Sequence, residues 1–223
     1  TTGTFHVTPT IESATSFGFQ YYEQQDQTSG LAGEVFPAPP LSTISAASIR
    51  SATGDYVENK TAGIYFQEQF GFNNNLFVTG AMRMDDNSAF GESFDYAIYP
   101  KLSVTWSLEE PLGRSWLNTL KLRSAYGAAG KQPATFAAVR VYAPTTGPAG
   151  TAAVTPNEIG NPDLKEERST EWEGGFDASL FEERTSVSFT YYRKNTTDAI
   201  IARTNAPSLG FPGSQFVNLG RVK

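Results

Sequence analysis

Lys101-Leu102-Ser103-Val104-Thr105-Trp106-Ser107-Leu108 decides the fold. Lys101, Ser103, Thr105 and Ser107 fall on one side of an extended chain, and Leu102, Val104, Trp106 and Leu108 on the other. Strict alternation of polar and apolar residues is the signature of a strand with one wet and one apolar face. The pattern recurs along the chain. Trp172, Gly174, Phe176, Ala178 and Leu180 oppose Glu171, Glu173, Gly175, Asp177 and Ser179. Val187, Phe189 and Tyr191 oppose Ser186, Ser188 and Thr190, and Leu120, Leu122 and Tyr126 oppose Lys121 and Arg123. Phe17, Phe19 and Tyr21 oppose Ser16, Gly18 and Gln20, while Leu76, Val78, Gly80 and Met82 oppose Thr79, Ala81 and Arg83. No segment shows a helical stripe.

These periods predict strands near 10–24, 57–71, 76–85, 94–108, 119–127, 168–180 and 185–195, with an eighth starting near Phe216. Their connections alternate in length. Phe72–Asn75 and Phe181–Arg184 are tight, 86–93 and 109–118 are of middle length, and 25–56, 128–167 and 196–215 are long. A meander whose two ends differ in this way fits an outer-membrane barrel, with short turns on one side and long loops on the other. Several strands exceed the roughly 9–11 residues that cross a bilayer at a tilt. Aromatic residues gather towards both strand ends. Tyr21, Tyr22, Tyr96, Tyr99, Trp172, Tyr191 and Tyr192 lie on the long-loop side, and Phe70, Phe72, Phe77, Trp106, Trp116 and Phe181 on the short-turn side. Of these, Tyr96, Tyr99, Trp106, Trp116, Trp172 and Tyr191 are the candidate membrane girdle. The competing reading is a soluble β-sandwich that binds carbohydrate on exposed aromatics, in which Leu102, Val104, Trp106, Trp172, Phe176, Val187 and Phe189 would share a core.

Composition removes most chemistry. The 223 residues include no cysteine, which excludes thiolate metal sites, disulfides and cysteine nucleophiles, and one histidine, His6 near the start, on which any Ser-His-Asp triad or multi-histidine metal site would have to depend. Aromatic residues make up 13% and charged residues 18%, the latter against roughly 25% in average soluble domains. A net charge of −6 offers no basic stripe for nucleic acid. No apolar run is long enough for a membrane helix, and no basic segment followed by an apolar core marks a signal peptide at Thr1. Asp85-Asp86-Asn87 lacks the spacing of a calcium loop. Adjacent residues on a strand point to opposite faces, and the carboxylate pairs Glu109-Glu110, Glu166-Glu167 and Glu182-Glu183 lie in or beside connections, so they read as solvated turn charge and not as a glycosidase acid pair. Neither a metal nor a cofactor is expected.

Five segments in order carry a family resemblance. Arg83-Met84-Asp85-Asp86-Asn87-Ser88-Ala89-Phe90-Gly91 is similar to Arg-x-Asp-Gly-Ser-Ser-x-Phe-Gly of the SusC/RagA family of TonB-dependent outer-membrane transporters, departing at Asp86 and Asn87. Tyr99-Pro100-Lys101-Leu102-Ser103-Val104-Thr105-Trp106 resembles its Phe-Pro-x-x-Ser-x-x-Trp. Leu120-Lys121-Leu122-Arg123-Ser124-Ala125-Tyr126-Gly127-Ala128-Ala129-Gly130-Lys131-Gln132 resembles Leu-Lys-Leu-Arg-x-Ser-Tyr-Gly-x-x-Gly-Asn-Gln, with Lys131 in the Asn place. Asn161-Pro162-Asp163-Leu164-Lys165-Glu166-Glu167 resembles Asn-Pro-x-Leu-Lys-Trp-Glu except at Glu166, and Asn218-Leu219-Gly220 resembles the start of a further strand.

The resemblance covers roughly residues 62–222. It implies an all-β fold: an antiparallel transmembrane β-barrel, here an incomplete run of about eight meander strands from a barrel of about 22. Residues 1–223 would then be part of the barrel, without plug, TonB box or C-terminal strand. It implies import of a large nutrient, a glycan or peptide-like ligand, and no enzymatic activity. Implied partners are a TonB-type energy-coupling protein, a SusD-like lipoprotein lid and outer-membrane lipid. Lys101, Lys121, Arg123, Glu171, Glu173 and Asp177 become candidates for the lumen lining. The three long loops, on the outer side of the membrane, become candidates for the ligand vestibule or the lid contact.

Overall fold

The computed structural model describes residues 1–92, 96–109 and 116–222. The onset of the strand expected from Phe94 and the Glu110 member of its carboxylate pair lie outside them. Thirteen strands follow one another: β1 (Thr2–Thr8), β2 (Ile11–Glu34), β3 (Ile49–Phe72), β4 (Leu76–Asn87), β5 (Ala97–Glu109), β6 (Leu117–Lys131), β7 (Val141–Thr146), β8 (Ala152–Glu158), β9 (Glu167–Leu180), β10 (Thr185–Thr197), β11 (Ile200–Thr204), β12 (Ser214–Asn218) and β13 (Arg221–Val222). Nine of them form one sheet in the order β1-β2-β3-β4-β5-β6-β9-β10-β13, with neighbouring strands antiparallel. Hairpins β7–β8 and β11–β12 are separate two-stranded sheets set into two of the long connections. The architecture is the expected meander, and the sheet does not close on itself.

Both ends of the meander have the expected character. Pro9–Thr10, 73–75 and 181–184 turn tightly on one side, while 35–48, 88–92, 132–166 and 198–220 lie on the other. Asn73 and Asn74 take φ of 49° and 55°, a left-handed conformation that Asn tolerates by bonding locally.

Four boundaries differ from expectation. β2 and β3 are 24 residues each and stay paired from Ile11↔Phe72 to Glu34↔Ile49, so only 35–48 of the expected 25–56 loop is a connection. Beyond Tyr22 the sequence runs Glu23-Gln24-Gln25-Asp26-Gln27, polar on both faces. A ladder that has left the hydrocarbon is wetted on both sides and loses its period-two signal. The 128–167 loop starts later, since β6 runs to Lys131, and contains β7–β8. Within the expected 196–215 loop, β10 continues to Thr197 and β11–β12 follows, so Phe216 belongs to that hairpin and the next sheet strand begins at Arg221. Finally, β1 adds a short Thr-rich strand in which only Phe5 and Val7, with Gly3, mark the apolar side.

Register fixes the faces. Leu76, Trp106, Leu122, Phe176 and Phe189 lie in one row across β4, β5, β6, β9 and β10. Phe176 and Phe189 have ring centroids 5.9 Å apart. Among the described residues no second sheet covers this face: Leu102 is 54% exposed, Val104 38%, Trp106 42% and Phe189 54%. Among the described residues the only large side chain buried beyond 98% is Leu164, in a loop. The sandwich reading therefore fails, because its shared core is missing. An apolar face of this extent, exposed row after row, requires hydrocarbon as its solvent.

One carboxylate interrupts the apolar face. Glu68 lies between Phe66 and Phe70, in line with Thr15 and Gly80, and accepts hydrogen bonds from Ser13 Oγ and Thr15 Oγ1, both at 2.6 Å. A polar group in the membrane band survives by local pairing. Ser13→Ala combined with Thr15→Val is expected to destabilise the barrel by about 2–3 kcal/mol. Adding Glu68→Leu should recover most of that loss. Denaturant titration of the complete barrel in lipid measures both, and absence of recovery would place Glu68 in water.

Candidate functional site

All six candidate lumen residues fall on the face opposite the apolar one. Lys101, Gly127, Glu171 and Lys194 form one row, and Lys121, Asp177 and Ser188 another. The structure then divides them. Arg123 Nε donates to Asp177 Oδ2 at 3.1 Å, and its Nη2 crosses Gly175 to reach Thr190 Oγ1 at 2.6 Å. Ser188 Oγ donates to Asp177 Oδ1 at 2.6 Å. This pair ties β6, β9 and β10 together and its two charges offset each other. By contrast, Lys101, Glu171 and Glu173 make no ion pair among the described residues. With Lys194 they edge a hollow of about 310 Å³ floored by Ala125, Gly127 and Ala129. Small residues on β6 leave a trench with Lys101 on one bank and Glu171 and Glu173 on the other. Such a surface suits a polar segment carrying both charges.

The girdle residues divide by face as well. Trp106, Trp172 and Tyr191 lie on the apolar face, and the Trp172 and Tyr191 ring centroids are 5.9 Å apart. Tyr96 borders a shallow hollow with Phe19, Ile64 and Met84, all three on that same face. Trp116 sits at the short-turn end beside Phe181. Tyr99 departs from expectation: paired with Arg83, it shares the polar face with Lys101 and Asp85. Counting residues towards the strand end located Tyr99 by height but not by face. On odd-numbered positions of β5 the side chain points away from lipid.

A second assembly was invisible in the sequence. The segments that carried the resemblance converge where the long connections meet the strand ends. Asn87, 4% exposed, directs its amide to Asn59 Oδ1, Thr61 Oγ1 and Gln132 Oε1 at 3.0, 2.6 and 2.8 Å. Its own Oδ1 accepts from Ala89 N at 2.7 Å. Asn59 in turn donates to Thr135 at 3.1 Å. Gly91 N donates to Leu164 O at 2.8 Å, and a Cβ at Gly91 would run into the Pro162 carbonyl. Leu164 packs with Ala137, Ala138 and Ile200. Asn218 brackets Lys165, accepting from its N at 3.0 Å and donating to its O at 2.9 Å. These words form a seat on which 132–166 and 198–220 rest. Among the described residues no group of three or more His, Cys, Asp or Glu stands close enough to hold a metal ion. Asp85 is instead engaged with Arg83 at 2.8 Å.

A one-sided apolar sheet with short turns at one end and seated loops at the other defines an outer-membrane β-barrel wall. The chain belongs to the β-barrel family of TonB-dependent receptors, whose family model, TonB dependent receptor-like beta-barrel, matches residues 1–223. It is 27% identical over 173 residues to TonB-dependent receptor P39 of Formosa agariphila, covering 76% of this chain and 17% of that protein. It is 23% identical over 189 residues to TonB-dependent receptor SusC of Bacteroides thetaiotaomicron, covering 79% and 19%. The chain thus spans about a fifth of those relatives. Among solved structures, the RagAB peptide transporter superposes with a TM-score of 0.89 at 20% identity, over 99% of this chain and 25% of that one. The siderophore receptor PirA from Pseudomonas aeruginosa gives 0.60 at 15% identity, over 99% and 36%.

Proposed function

We propose that this chain forms wall and loops of an importer that carries a large polar nutrient, glycan or peptide-like, through the outer membrane. It acts as a conduit and not as an enzyme. Energy would come from a TonB-type coupling protein, and a SusD-like lipoprotein would cover the long-loop end. The observation that carries this reading is the polar face: charged groups left unpaired around a trench of small residues, directly behind a lipid-facing wall. Similarity to SusC and to the RagAB peptide transporter supports it. Lys101, Glu171 and Glu173 are the residues assigned to the passing cargo or the plug, Arg123 and Asp177 to the wall, and the three long connections 35–48, 132–166 and 198–220 to the vestibule or the lid contact. Deleting the gene should abolish growth on one class of polymeric nutrient while leaving growth on its monomer intact. Disabling the energy coupler should give the same phenotype. Unchanged growth on every polymer tested would overturn the assignment.

A further inference from the structure

Glu166 stands where two loops meet the wall, at a position where the resembling family pattern has tryptophan. Its side chain is 5% exposed, Oε2 has no hydrogen-bond partner among the described residues, and Oε1 lies 3.9 Å from Arg168 Nη1, beyond hydrogen-bond reach. Residues on either side hold the second loop. Leu164 packs against Ile200, Lys165 is bracketed by Asn218 and has Nζ 3.6 Å from Asp198 Oδ1, and Glu167 Oε2 accepts from Ile200 N at 3.3 Å. Movement of residue 166 therefore pulls on both ends of 198–220 and on the end of 132–166 together.

We propose that Glu166 is a proton-operated latch on this loop platform: protonated, it stays in its seat and both loops remain docked; ionised, it leaves and releases them. A carboxylate with one bare oxygen in a dry pocket is costly, and the neutral acid much less so. The charged and titratable groups around it are Arg168 of β9, Lys165 of its own loop, Asp198 of the turn between β10 and β11, and Tyr99 of β5. Burial raises the Glu166 carboxyl above the ordinary value of 4.5; a hydrogen bond from its own backbone N–H, then Arg168 and Lys165, oppose the rise, and Asp198 adds to it. The sign follows. A docked loop holds a proton that a released loop gives up, so docking is strongest in acid and weakens as pH climbs from 4.5 to the raised value, then levels off. The proposal rests on the loop seat, and cargo enters none of its readouts.

Hydrogen exchange of the complete protein in lipid discs tests it, with rates corrected for the intrinsic pH dependence of exchange. The reporters are the Gly91, Asn161 and Leu219 amides, which bond to Leu164, Ala137 and Ala199 carbonyls. Their protection should fall by up to about tenfold per pH unit within the window. Glu166→Gln should flatten the profile and keep protection high at neutral pH. Arg168→Met should extend the window upward, because it removes a cation that favours the carboxylate. Equal pH slopes in native protein and Glu166→Gln would overturn the latch. If Glu166→Gln fails to fold, an unmoved window in Arg168→Met does so.

Discussion

Val104→Arg is expected to destabilise the folded barrel in a bilayer by about 2–4 kcal/mol, while Ser103→Arg, one residue away, should change it by less than about 0.5 kcal/mol. Val104 lies between Val78 and Ser124 on the apolar face and is 38% exposed, so a guanidinium there must enter hydrocarbon. Ser103 borders a polar hollow with Lys101, Arg123 and Glu173, where the long side chain can reach water and the unpaired Glu173 carboxylate. Reversible unfolding in lipid measures the two free energies. Single cysteines read the same contrast without unfolding, since this chain has no native thiol. Val104→Cys should react with lipid-soluble maleimides and Ser103→Cys with water-soluble ones. Equal destabilisation by both arginines would mean that the faces are not divided between lipid and water.

That division was the legible part of the chain. Leu102, Val104 and Trp106 against Lys101, Ser103 and Thr105 needed only the period of a strand, because a bilayer on one side and water on the other impose opposite chemistry on successive residues. Legibility ended where that contrast ended. From Glu23 to Glu34, and from Ile49 to Asn59, both faces meet water, so the ladder continues with no alternation to announce it. Tyr99 shows a subtler failure. Its height near the strand end and its aromatic character suggested a girdle, but face is decided by parity, and parity with Lys101 was available in the sequence. The loop seat was illegible for a different reason. Asn59, Asn87, Gln132 and Leu164 are far apart in the chain and individually ordinary. The recurring words marked the right places while giving no sign that they touch. Glu166 is the converse: a departure from the family pattern, like Asp86, Asn87 and Lys131, but one whose meaning depends on its burial.

Asn87 gives the second large effect. Its amide has two hydrogens to share among Asn59, Thr61 and Gln132, and its oxygen holds the Ala89 N–H. Asn87→Ala strips four polar groups of a partner in a site that is 4% exposed. At about 1–3 kcal/mol for each group that water cannot reach, and with some relief from amide reorientation, a loss of about 2–4 kcal/mol is expected. The loss should be local. Strand residues in the membrane band gain their stability from ladders and lipid, so the barrel should still insert and resist detergent, while 132–166 becomes open to protease and the Gly91 amide loses protection. Asn87→Asp keeps an acceptor for Ala89 and lets Asn59 and Gln132 turn their amides towards it, so it should be the milder change despite burying a charge. A role for Asn87 in touching cargo makes the opposite forecast: uptake would fall in both variants with the loops still protected. The ratio of loop protection to uptake in these two proteins therefore separates a residue that builds the vestibule from one that reads what enters it.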